Sequence, residues 1–278
     1  MKILGIESSS LVASVALVTD EVLTAEYTVD FKKTHSQTLL PMVDEVVKMV
    51  GLDLNAIDGI AVAGGPGSFT GLRIGAATAK GLGLALNKPL IHVPTVEAMA
   101  YNLWGSAGLI CPIMDARRRQ VYTGLYRMEG MAEENAAAEA MPGAGAKAAP
   151  PMQTVMAQTA MDAEDLCRLL NERGEAVTFL GDGVPVYREL FEEKLTVPHA
   201  YAPAHLNRQR AGAVAFLGVQ AMEHGGRFGG SFVVSSDDFE PDYLRKPQAE
   251  REREAKLSPD GVDGRLFGDA GVTPREGA

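Results

Sequence analysis

Gly64-Gly65-Pro66-Gly67-Ser68-Phe69-Thr70-Gly71-Leu72-Arg73 is the stretch whose residue types come nearest to chemistry. It lies between an apolar run and a run of small helix-forming residues. A glycine turn at a helix start leaves backbone N–H groups bare and aimed at one spot, which suits an anion. The groups that act on a bound phosphate are missing. A Walker-type loop follows its last glycine with Lys and then Ser or Thr, whereas Gly71 is followed by Leu72-Arg73. The dinucleotide pattern fails too, because Thr70 stands where its third glycine belongs and residues 90–93 end in no acid. The stretch reads as able to hold something and poorly equipped to react with it.

Glu7 and Asp115 each close an apolar run and open a hairpin. Each either takes part in chemistry or caps its own turn through backbone N–H groups, and capping is the favoured reading. Ser8, Ser9 and Ser10 either donate to a phosphate or satisfy the same hairpin, again the favoured reading. The histidines are His35, His92, His199, His205 and His224, and no two stand at i, i+4, so no metal site is expected. Ser68 is not in a Gly-x-Ser-x-Gly elbow. Cys111 and Cys167 lie in apolar surroundings and read as buried thiols of a reducing compartment, not as a nucleophile or a disulfide. No catalytic residue is assigned.

The elements that must position these residues follow from hydrophobic pattern. Residues 2–7, 14–18 and 22–29 read as an antiparallel meander. Helices over 36–50, 72–86 and 95–104 then alternate with strands over 57–63 and 89–93, which gives an α/β mixed sheet. Residues 109–115 and 120–127 repeat the strand, acid and hairpin, and Val177-Thr178-Phe179-Leu180 running into Gly181-Asp182-Gly183 repeats the strand and glycine turn. Two related halves are expected, over 1–106 and 107–250. Residues 129–160 read as a flexible insertion and 251–278 as a disordered tail.

In the first of these helices Asp44, Glu45 and Lys48 make one narrow charged stripe, leaving Leu39, Met42, Val43, Val46 and Val50 on a wide apolar face. In the second, Leu72, Gly75, Ala79 and Gly83 form a small-residue ridge. Either the two helices are simply well buried, or one side packs on the sheet and the other docks a partner or a second copy. The second reading is favoured, with these residues as the interface. A net charge of −10 argues against autonomous nucleic-acid binding, and Arg117-Arg118-Arg119 reads as a hairpin turn. No signal peptide or membrane span is apparent, and a cytoplasmic protein is expected.

Several stretches resemble the bacterial TsaB proteins, small non-catalytic relatives of TsaD in the actin-like superfamily. They are Ile3-Leu4-Gly5-Ile6-Glu7-Ser8-Ser9, His35-Ser36-Gln37-Thr38-Leu39-Leu40-Pro41, residues 64–75, Lys80-Gly81-Leu82 with Asn87-Lys88-Pro89, and Asp115-Ala116-Arg117-Arg118. Pro241-Asp242-Tyr243-Leu244-Arg245 resembles the family's closing motif. The resemblance is strong over 1–128 and looser over 176–250. It departs from the family at Glu7-Ser8-Ser9, where many members have Asp-Thr-Ser, and in the insertion.

The resemblance implies an actin-like, RNase H-like fold: duplicated domains, each a mixed five-stranded sheet flanked by helices, the second half reduced. In that fold Glu7 and Asp115 stand where a carboxylate positions magnesium or water, and Ser8, Ser9, Gly65, Gly67, Gly181 and Gly183 outline a degenerate nucleotide cleft. Thr95 and Met99 stand where TsaD carries His-x-x-x-His, so no metal site is implied. The implied role is a scaffold and activator in N6-threonylcarbamoyladenosine synthesis on tRNA, with no catalysis of its own. It heterodimerises with TsaD, and TsaE joins with ATP hydrolysis. tRNA is reached through the complex, and the chain homodimerises when alone. No cofactor is required by the isolated chain, with ATP or ADP at the complex interface. The alternatives are an actin-like ATPase or kinase acting on a small molecule through Glu7, Asp115 and the glycine turns, and a metallopeptidase.

Overall fold

The run Lys2-Ile3-Leu4-Gly5-Ile6-Glu7 is apolar without alternation, as expected of a strand covered on both faces. It forms β1 (Lys2–Glu7), buried from Ile3 onward. The computed structural model describes residues 1–128 and 152–245. β1 pairs antiparallel with β2 (Val12–Thr19), and β2 with β3 (Val22–Asp30), which is the expected meander. β4 (Gly59–Gly65) then lies parallel to β1, and β5 (Leu90–Pro94) parallel to β4. Helices α1 (His35–Val50), α2 (Phe69–Leu86) and α3 (Thr95–Tyr101) separate and follow these strands.

The second half repeats the order: β6 (Leu109–Asp115), β7 (Gln120–Met128), β8 (Met152–Asp162), α4 (Ala163–Arg173), β9 (Val177–Leu180), α5 (Val184–Lys194), β10 (His199–Tyr201) and α6 (Ala211–Glu223). A short hairpin closes the described chain, β11 (Arg227–Phe228) with β12 (Ser231–Val234). The sheets run β11-β12-β5-β4-β1-β2-β3 and β10-β9-β6-β7-β8. Without the hairpin the two orders superimpose strand for strand, so the expected duplication is present.

Three expectations need correction. The first sheet has seven strands, because β12 adds antiparallel to the outer edge of β5. The boundary between 106 and 107 does not confine each half to its own sheet, and Met1–Leu244 form one compact unit. α6, which the sequence reading passed over, lies across β1, β2 and β4, while α3 lies on β6 and β7. The crossing needs close approach: a Cβ on Gly5 would be 2.4 Å from the Ala211 carbonyl oxygen. Lastly, residues 152–160 are not a flexible insertion. They belong to β8, paired along its length with β7. Residues 129–151 and the expected tail at 251–278 lie outside the described residues.

The helix faces also come out differently from the interface reading. Leu39, Met42, Val43 and Val46 are buried in the core between the first sheet and α1–α2, with Val50 packed against it. Leu72, Gly75, Ala79 and Gly83 are buried as well. The wide apolar face of α1 is therefore matched to the sheet and to α2, and it points inward. The exposed apolar residues are fewer and scattered: Leu40 and Met49, on opposite flanks of α1, are 54% and 77% exposed, and Leu84 is 61% exposed on the side of α2 that carries exposed Ala77 and Gly81.

Candidate functional site

The glycine stretch occupies the turn from β4 into α2, where bare N–H groups were expected. Most of its polar atoms are taken by the chain itself. The Gly65 N–H donates to the Thr95 hydroxyl at 3.2 Å, and the Ser68 N–H to the Ser9 carbonyl at 2.6 Å. Ser68 caps α2, its hydroxyl accepting the Gly71 N–H at 3.3 Å and its carbonyl the Leu72 N–H at 2.8 Å. The Gly64 carbonyl accepts the Asp242 N–H at 2.6 Å, and Gln158 of β8 donates to the Gly65 carbonyl at 3.3 Å.

The glycines leave room for backbone. Gly65 has φ +123°, and a Cβ there would lie 2.2 Å from the Asp242 carbonyl oxygen. A Cβ on Gly67 would lie 2.3 Å from the Ser9 carbonyl oxygen. Tyr243 completes the cover: its ring centroid is 5.1 Å from that of Phe69, and the Arg73 guanidinium sits 4.0 Å over Phe69 while its Nε donates to the Tyr243 hydroxyl. Ser8, Ser9, Gly65 and Gly67 are thus brought together, as a seal. Ser9 and Asp242 stand where side chains on Gly67 and Gly65 would lie.

The second turn is tied down in a different way. The Gly181 N–H donates to the Asn207 carbonyl at 3.0 Å and the Gly183 N–H to the Ile113 carbonyl at 2.9 Å. α3 links the two turns. Thr95 binds Gly65, and one helical turn later the Met99 methyl would be 2.6 Å from a Gly181 Cβ. Thr95 and Met99 are therefore fully engaged as packing between the halves. Each pair of glycines is hydrogen-bonded to its own neighbours, and α3 runs from one pair to the other.

Both acids cap their turns. Glu7 is buried, its Oε1 accepts the Ser9 N–H at 2.6 Å, and burial pushes its carboxyl up to about 7, with the Asp182 charge acting in the same direction. Asp115 accepts the Arg117 N–H at 2.9 Å and the Tyr187 hydroxyl at 3.1 Å. Burial also raises Asp182, which accepts from Gln209 at 2.7 Å. Burial pushes the Cys111 and Cys167 thiols up to about 12 and about 11, which makes both unreactive. His35 is held on the Ser10 carbonyl at 2.7 Å, and His92 stacks on Phe232 at 4.8 Å. Among the described residues no group of three His, Cys, Asp or Glu is placed to hold a metal ion, and no helix is long and apolar enough to cross a membrane.

Sequence reasoning missed a cavity of about 330 Å³ beside the second turn, lined by Leu180, Val184, Pro185, Arg188, Tyr201 and Arg208 among others. Pro185 at the start of α5 was a signal for a helix entrance there, but nothing local announces that β10 brings Tyr201 opposite it.

A duplicated sheet of this order, with a glycine turn at the end of β4 and of β9 and with α3 and α6 exchanged across the halves, defines a duplicated mixed α/β protein. The family model described as "TsaD: tRNA N6-adenosine threonylcarbamoyltransferase" matches residues 29–253. The chain is 34% identical over 254 residues to the tRNA threonylcarbamoyladenosine biosynthesis protein TsaB of Bacillus subtilis, covering 90% of this chain and 96% of that protein. It is 37% identical over 131 residues to the TsaB of Escherichia coli, covering 46% of this chain and 56% of that one. The structure of YeaZ from Pseudomonas aeruginosa matches in fold with a TM-score of 0.66 at 24% identity, covering 87% of this chain and 99% of that one. The chain belongs to the TsaB family.

Proposed function

We propose that this chain is a non-catalytic subunit in the synthesis of N6-threonylcarbamoyladenosine on tRNA, where it pairs with a TsaD-family enzyme. The observation that carries the reading is the sealed glycine loop. An enzyme of this architecture that handles a phosphate needs that turn open, and here Thr95, Ser9 and Asp242 occupy its polar atoms and its space. Membership of a family named for threonylcarbamoyladenosine biosynthesis supplies the pathway.

The docking surface in this reading is the outward side of α2, with Leu84 as an apolar anchor and Ala77 and Gly81 allowing close helix approach. The same face pairs two copies when the chain is alone. TsaE joins the pair with ATP, and ATP or ADP sits between subunits rather than in this chain's first turn. The compartment is the cytoplasm.

Gly81→Arg tests the reading. A side chain at Gly81 meets nothing within 4 Å, so the variant folds while its outward face is blocked. Co-purification with the TsaD-family enzyme should be lost with the melting temperature preserved; a complex that forms as before removes the interface. Val43→Asp is the wrong probe, because it puts an unpaired charge in the core.

A further inference from the structure

We propose that the turn between β3 and α1, Phe31-Lys32-Lys33, is a contact for the unpaired bases and phosphates of an RNA loop, an inference that rests on the reading of the chain as a tRNA-modification subunit. Phe31 is 67% exposed, more than any other aromatic residue described. Lys32 and Lys33 are exposed and, like Lys2, Lys80 and Lys88, carry no ion pair among the described residues, and they alone of these are adjacent in sequence. In a chain of net charge −10, two adjacent unpaired ammonium groups beside a bare ring are an exception that the fold does not explain.

The turn is anchored at both sides. Asp30 before it accepts from Arg208 Nε at 2.8 Å, and His35 after it is held on the Ser10 carbonyl at 2.7 Å. Within it the Lys33 N–H donates to the Phe31 carbonyl at 2.7 Å, closing a tight bend. β2 and β3 pair from Val12 opposite Asp30, which brings exposed Leu11 to the same end as Phe31. The result is a small held shelf of Leu11 and Phe31 flanked by two cations. Single-stranded RNA is bound by this pairing of chemistries: every base offers a face to an aromatic ring, and lysines take the neighbouring phosphates. A duplex, whose bases are stacked internally, has nothing to offer Phe31. The acidic surroundings confine the contact to a few phosphates, so the shelf adds to binding by a complex rather than replacing it.

The experiment assembles the chain with its TsaD-family enzyme and measures two things. Capture of the enzyme is read by co-purification; binding of a labelled anticodon stem-loop and of a duplex control is read by anisotropy between about 50 and about 200 mM salt. Phe31→Ala should leave capture and melting temperature unchanged, weaken stem-loop binding about tenfold, and leave duplex binding alone. Lys32→Glu with Lys33→Glu should lower the salt slope for the stem-loop by about one to two. If the complex forms and both variants bind RNA like the parent, the proposal is overturned. If the lysine changes abolish capture of the enzyme and not RNA binding, the turn meets an acidic protein and the proposal is equally overturned. If the parent captures no enzyme, the partner reading fails on its own, and crosslinking of a labelled uridine-rich single strand to the chain alone at about 50 mM salt then decides the shelf: crosslinks at residues 31–33 that are lost in Phe31→Ala support it, and crosslinks elsewhere or none at those residues overturn it.

Discussion

The ends of β4 and β9 are the same place in two copies of one architecture, and they have become different things. At β4 the glycine turn is packed under Ser9, Asp242 and Gln158, with Thr95 taking the Gly65 N–H. At β9 the glycine turn is fastened to Ile113 and Asn207, but a cavity of about 330 Å³ opens beside it. Strand order delivers a turn and a helix start to the carboxyl edge of a parallel pair, where α/β proteins place their ligands. Whether that edge is a site depends on what distant segments bring to it. At β4 those segments are the β1–β2 hairpin, β8 and residues 241–243, all of them this chain's own.

Alanine at matching glycines separates the two turns most strongly. Gly65 and Gly181 match in both turns, with φ +123° and +114° and an added Cβ 2.2 and 2.1 Å from a carbonyl oxygen, so the difference lies at the next pair: Gly67 faces the Ser9 backbone at 2.3 Å, which has no rotamer with which to yield. Gly183 has φ −76°, and the atom nearest its added Cβ is the Ile113 Cγ2 methyl, with the Asp115 backbone N at 3.0 Å. Overpacking against backbone should make Gly67→Ala cost about 3 kcal/mol, against about 1 kcal/mol for Gly183→Ala, while Gly65→Ala and Gly181→Ala should cost alike. Urea unfolding of these variants checks this. Equal losses for Gly67→Ala and Gly183→Ala would mean that the β4 turn is not sealed as tightly as its geometry indicates.

Two buried carboxyls of the first half, Glu7 and Glu97, respond to pH together. Burial raises Glu7 from an ordinary 4.5 to about 7, and Glu97, under the Gly230 N–H, likewise. With the folded values raised, the folded chain holds protons that the unfolded chain has released between these limits. The stabilisation is complete below about 4.5, falls as pH rises to about 7, and is gone above it. Each group accounts for about 3 kcal/mol of that fall. Glu7→Gln keeps an acceptor for the Ser9 N–H and should remove Glu7's share, leaving the Glu97 share in place. Unfolding midpoints measured across pH 5 to 8 would show it, and an unchanged slope would mean that Glu7 keeps its charge in the folded chain.

How much of this could be read beforehand divides along the same line. The meander, the parallel strands and the repeat follow from local pattern, because apolar runs of the right length, ended by turns, leave few alternatives. The inert thiols and the capping acids were legible for the same reason, since each depends on near neighbours. The seal was not, because it joins Gly65 to Thr95, Gln158 and Asp242, up to 177 positions along the chain. The inward direction of Leu39, Met42, Val43 and Val46 was missed for a related cause. A wide apolar face looks surplus against one sheet, and α2 packed beside α1 absorbs the excess. The hairpin β11–β12 has strands of two and four residues, too short for any periodicity to register.

The smallest effects lie in α3, where the halves meet. Thr95 supplies a hydrogen bond to the buried β4 turn, while Met99 supplies only bulk against Gly181. Thr95→Val keeps the shape and strands the Gly65 N–H without an acceptor, which costs about 2 kcal/mol. Thr95→Ser keeps the oxygen and should recover most of that. Met99→Leu conserves volume in a buried position and should cost about 1 kcal/mol or less. Amide exchange gives the sharper reading, because only loss of the Thr95 oxygen should speed exchange at Gly65, whatever the total stability. If Met99→Leu speeds it as much as Thr95→Val, the seal is held by packing across α3 rather than by the hydroxyl, and the contrast between the two turns becomes one of volume alone.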